Sequence, residues 1–399
     1  MGNDIPGMVW SKKINHYYET SMKTPSLLTL TALATLTGLA ATGAAQAQSV
    51  SLYGILDAGI ESVSNVAPAG GRITRMPSNT GIVPSRLGMR GKEDLGGGLS
   101  AIYTLEMGFA PDTGTSGQGG RLFGRQSLVG LSGDWGAVTL GRQWTMLFWS
   151  LLDSDIVGPA IYGLGSLDSY IPNARIDNSV AYKGKFSDFT LGATYSQGRD
   201  TVNAGPSPAG TNCPGESGTD SQACREWSAM VKYDTKAWGT ALAYDKLNGR
   251  TPASATDVVL PAGLTSSSKS DSRLTVNGYV NLASVKVGGG VIRRNNEGSA
   301  TRPKSDLWYV GAAYPLSSAW TIDGTLAKLH YKNVDNFDST LLAVRSLYKL
   351  SKRTTTYVQI GAIRNDSLTN VSVSGGAPGS NPALGGSQTG MMVGINHTF

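Results

Sequence analysis

Residue types that usually do covalent chemistry are sparse in this chain. It holds three histidines, His16, His330 and His397, and two cysteines, Cys213 and Cys224. General-base and triad mechanisms need an imidazole placed beside a nucleophile and an orienting acid. His16 lies in a segment expected to be discarded. His397 alternates with apolar residues at the C-terminus. His330 shares a face with Lys328 and Lys332, at a rim or interior position, and has no serine or aspartate partner at a recognisable spacing. No enzyme is therefore expected. No His/Cys cluster has metal-ligand spacing and no glycine-rich phosphate loop occurs, so neither metal nor cofactor is predicted. The residues between the cysteines, PGESGTDSQA, are polar and turn-rich. In an exported chain such a pair is expected to form a disulfide bracing a surface loop. What remains is fixed charge. Arg86 and Arg90 share parity with Gly88, while Leu87 and Met89 take the opposite face.

The elements that must position these charges follow from the wider sequence. Residues Ser26–Ala47 read SLLTLTALATLTGLAATGAAQA, after Met22 and Lys23 and ending in Ala45-Gln46-Ala47. A basic start, a short apolar run and an A-x-A end predict a signal peptide over 22–47, with a mature chain from Gln48. Residues 1–21 fit neither signal nor domain, and their translation is doubtful. The run is rich in Thr and Ala, with no basic stop-transfer cluster after it, which speaks against a membrane anchor. No other stretch is long and apolar enough for a membrane helix. Yet charged residues are only 16 % of the chain and mean hydropathy is −0.13. Alternation of apolar and polar residues gives that average while hiding a lipid-facing surface. The formal charge of +6 is scattered, with no Lys/Arg tract, which excludes nucleic acid as a partner.

Beyond Gln48 the pattern is a run of about ten residues with period two, closed by a turn, repeated along the chain. In Leu99–Phe109, Leu99, Ala101, Tyr103, Leu105, Met107 and Phe109 share one face, and Glu106 lies on the other. Sixteen strands are predicted, at 49–61, 79–92, 98–110, 121–133, 137–145, 175–184, 188–198, 225–236, 238–249, 271–283, 285–296, 304–315, 319–332, 338–350, 354–366 and 389–399. Short connections at 93–98, 133–136, 236–239 and 283–284 contrast with long ones at 199–224, 250–270 and 367–388. Short turns on one rim and long loops on the other mark an outer-membrane barrel. Sixteen tilted strands leave an aqueous lumen. The expectation is an all-β, transmembrane, antiparallel barrel over residues 48–399, with Tyr53, Asp57 and Glu106 of lumen parity. On the last strand Met391, Val393, Ile395, His397 and Phe399 share a face. A terminal Phe so placed looks like the recognition signal of the barrel-assembly machinery.

Four stretches carry a resemblance to a known family: SVSLYGILDAGIES at 49–62, SRLGMRGKEDLGGGLSAIYTLEMGF at 85–109, RLFGRQSLVGLSGDWGAVTLGRQW at 121–144 and VGINHTF at 393–399. In combination and order they resemble the general Gram-negative porins of β-proteobacteria, across the whole mature chain. The resemblance implies a homotrimer, an outer-membrane location among lipid and lipopolysaccharide, and a third loop folded into the lumen as an eyelet. By position that loop is about 145–174, with Asp153, Asp155 and Asp168. It implies a facing row of wall arginines, to which Arg125 and Arg175 match, and Arg142 similarly. Strict alternation would put Arg142 on the lipid side, where an Arg costs about 2–4 kcal/mol at the midplane. The strand is therefore expected to end or twist at Gly141. Acids facing arginines across a narrow wet opening select by sign and exclude by size, weakly because water screens the field. The implied function is passive diffusion of ions and small hydrophilic solutes. The alternatives are a substrate-specific channel, which an aromatic track would mark, and an adhesin or receptor barrel working through its long loops.

Overall fold

The computed structural model describes residues 49–198, 213, 215–251, 262–375 and 379–399. The expected signal peptide and residues 1–21 lie outside the described residues.

The chain forms one antiparallel sheet that closes on itself. Its first half comprises β1 (Ser49–Val66), β2 (Gly71–Arg75), β3 (Arg86–Gly96), β4 (Leu99–Gly108), β5 (Gln126–Gly133), β6 (Gly136–Trp144), β7 (Arg175–Phe186), β8 (Phe189–Ser196) and β9 (Glu226–Asp234). The second half comprises β10 (Trp238–Asn248), β11 (Ser270–Leu282), β12 (Val285–Asn296), β13 (Lys304–Pro315), β14 (Trp320–Tyr331), β15 (Ser339–Lys349), β16 (Thr354–Asn365) and β17 (Gln388–Thr398). β2 is a five-residue arm paired only to the far end of β1. The other sixteen strands make the wall. Closure is made by β1 on β17, from Ile55↔Thr398 to Val63↔Gly390. Closure leaves the sixteen-strand wall without an open edge, the condition for a backbone that crosses lipid in extended form.

Alternation decides which side each residue faces. On β1, Leu52, Leu56 and Ile60 are exposed outward, whereas Asp57 and Glu61 are buried inward. On β14, Ile322 and Leu326 are outward, and Thr321, Asp323 and Thr325 inward. Short turns gather on one rim. The β3–β4 turn runs through Gly96, Gly97 and Gly98, all at positive φ, where a side chain would be strained. The long loops gather on the other rim.

The strands lie close to their sequence-derived positions, with two late starts and one addition. β3 begins at Arg86 rather than 79. Pro84 has no N–H for a ladder, and Val83 N–H donates instead to the Asp57 carboxylate at 3.1 Å. β5 begins at Gln126 rather than 121, because the preceding residues turn to serve Glu106 and Asp177, described below. The β2 arm gave no alternation to read.

The connection 145–174 lies inside the barrel. Thr145 N–H donates to Ala174 O at 2.9 Å, closing its neck. It carries α1 (Met146–Leu151), α2 (Leu164–Leu167) and a 3-10 turn at Ile171–Asn173. The reason it folds inward is on the wall. Ile292, Leu307, Tyr309, Leu329, Leu341, Leu347 and Ile363 are inward on β12–β16 and apolar, not polar as a wet wall requires. Leu147, Phe148, Leu151, Ile161, Tyr162, Leu164 and Leu167 of the loop cover them. Burying such a side chain contributes about 1.5–3 kcal/mol. The loop is thus held against the inner wall by a hydrophobic contact.

Candidate pore constriction

With the first loop helix against β9–β11 and the rest of the loop's apolar residues on β12–β17, the charged side chains gather on β3–β7. Arg86 opens β3, Glu106 ends β4, Arg125 precedes β5, Arg142 and Trp144 end β6, and Arg175 and Asp177 open β7. All four arginines and both acids are buried from bulk solvent. Arg125 Nε donates to Glu106 Oε1 at 2.7 Å, and Tyr53 O–H donates to Glu106 Oε2 at 3.0 Å. Arg175 lies flat over the Trp144 ring, 3.6 Å from its centroid, with Arg125 on the same ring at 5.5 Å. Such stacking holds a guanidinium in place while leaving its N–H edges available. Arg142 pairs with Asp177, and Arg121 reaches the same carboxylate at 2.7 Å. Arg121, Arg125 and Arg142 thus pair with the two carboxylates, and Arg86 and Arg175 complete the basic cluster. Arg90 stands on the same face of β3, over Tyr53 at 5.1 Å.

Arg142 leaves the alternation of β6 at Gly141, which takes φ +120°. The β6–β7 register shifts beside it, from Gly141↔Ser179 to Gln143↔Ile176, so that Asp177 and Asn178 of β7 together face Arg142. Any Cβ on Gly141 would run into Ser127 O. Arg142 Nε then donates to Gly124 O at 2.7 Å.

The loop acids are spread along the opposite side and tied to it. Asp153 pairs with Lys232 and lies 3.7 Å from Lys286 Nζ. Asp168 takes a two-point contact from Arg273, at 2.7 and 3.1 Å. Burial pushes the Asp168 carboxyl up, but Arg273 and Arg294 outweigh it and hold it at about 2. Asp155 accepts the Gly158 N–H at 3.1 Å and, among the described residues, has no lysine or arginine in salt-bridge contact. Burial pushes its carboxyl up to about 6, against the pull of that N–H and of Arg345, which Asp323 engages. The loop thus presents two neutralised acids and one carboxyl with no such partner. Asp57 and Glu61 act in anchoring. Asp57 accepts from Tyr357 O–H and Asn396, and Glu61 from Arg75, Tyr162 and Ser374.

Several partners escaped sequence reasoning: Arg121, Asp177, Lys232, Lys286 and Arg273. Parity could have found Asp177, two residues from Arg175, and Lys232, in step with Ser228 and Met230. Arg121 lies in a turn and carries no such signal. His330 is at the long-loop rim and faces outward, 49 % exposed, beside Asp338 at 2.9 Å. Cys213 and Cys224 are disulfide-bonded, with Cα atoms 5.4 Å apart, against Leu247 and Leu264 at the same rim. Among the described residues no group of His, Cys, Asp or Glu could hold a metal ion.

Comparison with known proteins bears on the family and the fold. A family model described as Gram-negative porin matches residues 29–368. Outer membrane porin protein 32 of Delftia acidovorans is 28 % identical over 386 residues, 92 % of this chain and 99 % of its own length. An outer membrane porin protein of Bordetella pertussis is 35 % identical over 236 residues, 55 % of this chain and 59 % of its own, so that match spans less than two thirds of the relative. Among solved structures, an anion-selective porin from Comamonas acidovorans superimposes with a TM-score of 0.71 at 23 % identity, covering 88 % of this chain and all of the other. A closed sixteen-strand wall, a loop packed within it and a family match across most of the chain lead to one conclusion: the chain belongs to the Gram-negative porins, the β-barrels that form diffusion channels across the outer membrane.

Proposed function

We propose that the protein is a homotrimeric pore for passive diffusion of ions and small hydrophilic solutes, with a weak preference for anions. The observation that carries this reading is the wall cluster in which Arg86, Arg121, Arg125, Arg142 and Arg175 outnumber Glu106 and Asp177, while Asp153 and Asp168 are already paired with cations of the far wall. An excess of fixed positive charge at a narrowing raises the local concentration of anions. The Comamonas relative, described as anion-selective, supports the sign. Arg86, Arg90, Arg125, Arg142, Arg175, Glu106 and the loop acids Asp153, Asp155 and Asp168 are the constriction of this reading. Insertion depends on export by the signal peptide and on the barrel-assembly machinery reading Phe399. The working environment is outer-membrane lipid and lipopolysaccharide.

The test is planar-bilayer recording with a salt gradient. Replacing Arg86, Arg125 and Arg175 by Ser is expected to raise conductance and lower the anion-to-cation permeability ratio. The change should be roughly twofold to fivefold at 0.1 M salt, where the Debye length is about 10 Å, and smaller at 1 M, where it is about 3 Å. Assembled trimers of the triple variant with wild-type conductance and reversal potential would place the constriction elsewhere.

A further inference from the structure

The apolar seat of the inward loop is not its whole attachment. Its middle, residues 161–166, is stitched to two connections that come down from the long-loop rim. Ile161 N–H donates to Thr80 O at 2.9 Å, and Ile161 O accepts the Gly375 N–H at 2.9 Å. Thr80 belongs to the connection between β2 and β3, and Gly375 to the last one, between β16 and β17. Ser166 Oγ donates to Val373 O at 2.9 Å. Asn79 Nδ2 joins the two connections by donating to Gly375 O at 3.2 Å. Both polar groups of the Ile161 backbone are thus engaged by connections that start outside the lumen.

The side chains repeat this arrangement. Glu61 of β1 is fully buried. It accepts from Tyr162 O–H at 3.1 Å, from Ser374 Oγ at 2.9 and 3.0 Å, and from Arg75 Nε at 2.6 Å. One carboxylate therefore gathers the inward loop, the last connection and the β2 arm. Val373 is fully buried, in the same apolar cluster as Tyr162 and Leu164. The wall leaves room for them at two ladder partners, Gly361 of β16 and Gly390 of β17. A Cβ on Gly361 would meet Tyr162 and Val373 at 2.8 Å, and one on Gly390 would meet Tyr162 at 2.7 Å. Glycine inside a strand often marks such a close approach. Farther along, the last connection is open to solvent: Leu384 is 64 % exposed.

We propose that residues 371–375 are a clasp that holds the inward loop back against β16 and β17, and that displacing the outer part of the last connection releases it and narrows the pore. The long-loop rim of such a barrel faces the outside, so the clasp makes the channel responsive to events at the outer surface. Contiguous hydrogen bonds and packed side chains carry coupling of this kind. The direction follows from the packing. The loop's apolar side is against the wall and the lumen lies in front of it, so a released loop moves into the ion path. The proposal rests on the pore reading above.

The experiment is single-channel recording of wild type, of the variant Ser166→Ala, Ser374→Ala and of Leu384→Cys carrying a biotin-maleimide. The serine variant loses the hydroxyls given to Val373 O and Glu61. It is expected to close roughly fivefold more often, with the fully open conductance and the reversal potential of wild type. Streptavidin added from the long-loop side to the Leu384→Cys adduct should raise closures in the same way, and added from the opposite side it should not. A converse variant tightens the clasp. A Cβ on Gly375 would lie 3.0 Å from Ser166 Cα, which places Ser166→Cys and Gly375→Cys for a cross-link. Oxidised channels of this pair should close less often than wild type, and reductant should undo the effect. Wild type treated with the same reductant controls for Cys213–Cys224. Should the pair fail to cross-link or assemble, the serine variant and the streptavidin adduct decide. Wild-type closure rates in both of these overturn the clasp, and so does a shifted reversal potential without added closures, which would make the serines part of the ion path. A wild-type protein that does not conduct would defeat the pore reading as well.

Discussion

At the scale of single residues, parity explains most of the wall, and its failures are informative. Arg86, Arg90 and Glu106 were legible as lumen residues because their strands alternate without interruption. Arg142 came from the family resemblance and not from counting, because β6 leaves its alternation at Gly141, where φ is +120°. Gly141→Ala is expected to lose the register shift or strain it, since φ +120° and the approach to Ser127 O exclude a Cβ. The Arg142–Asp177 pair should break and assembled trimer should fall several-fold on heat-modifiability gels. Asp155 allows a prediction in pH. Its carboxyl, pushed up to about 6 by burial, is charged above that value and neutral below it. Lowering pH through 6 therefore removes a negative charge from the loop, and the preference for anions should rise. Asp155→Asn should show the low-pH preference at every pH, with no inflection in reversal potential near 6. An inflection that persists in this variant assigns the titration to another group.

At the scale of elements, the strands were readable from their residues, whereas the loop's inward course was expected only from the family resemblance. Period two places strands, but the inward loop is caused by apolar residues on the lumen parity of β12–β16, and a strand apolar on both faces blurs the alternation used to find it. The acids of the loop were readable as acids only. Their partners Lys232, Lys286 and Arg273 sit far away in sequence and meet them through closure of the barrel. Tyr170 shows how the loop is pinned: its hydroxyl lies 2.5 Å from Glu226 and 3.0 Å from both Asp245 oxygens. Tyr170→Phe removes a hydroxyl from between two buried carboxylates, a loss of about 1–3 kcal/mol. The barrel should assemble, because its ladders are untouched. The loop should loosen, seen as more frequent closures and larger open-channel current noise at unchanged reversal potential. Quiet channels with wild-type closure rates would show that the hydrophobic face alone holds the loop.

At the scale of the whole molecule, the last residue decides how the barrel shuts. Phe399 lies on the outward face with Met391, Val393 and Ile395, half exposed to lipid. Its N–H donates to Gly54 O at 3.0 Å, and its carbonyl accepts the Gly54 N–H at 2.9 Å, extending the β1–β17 seam by one pair. Its ring rests on Gly54, in the space a Cβ would need. The sequence led to the expectation of an assembly signal on the last strand but not of this seat on the first, because the two strands meet only when the wall is complete. If the terminal Phe is also the proposed assembly signal, Phe399 has two separable contributions, one to recognition before closure and one to the seam after it. Deleting Phe399 removes both, and assembled trimer should fall at least several-fold while the surviving pores conduct as wild type, since the residue points away from the lumen. Gly54→Val keeps the terminal Phe for recognition but displaces its ring from the seam. It should reach the membrane at closer to wild-type levels, yet its trimers should dissociate at lower temperature. Loss of trimer in Gly54→Val as severe as in the deletion would mean that the seam, not the address, is the main role of Phe399.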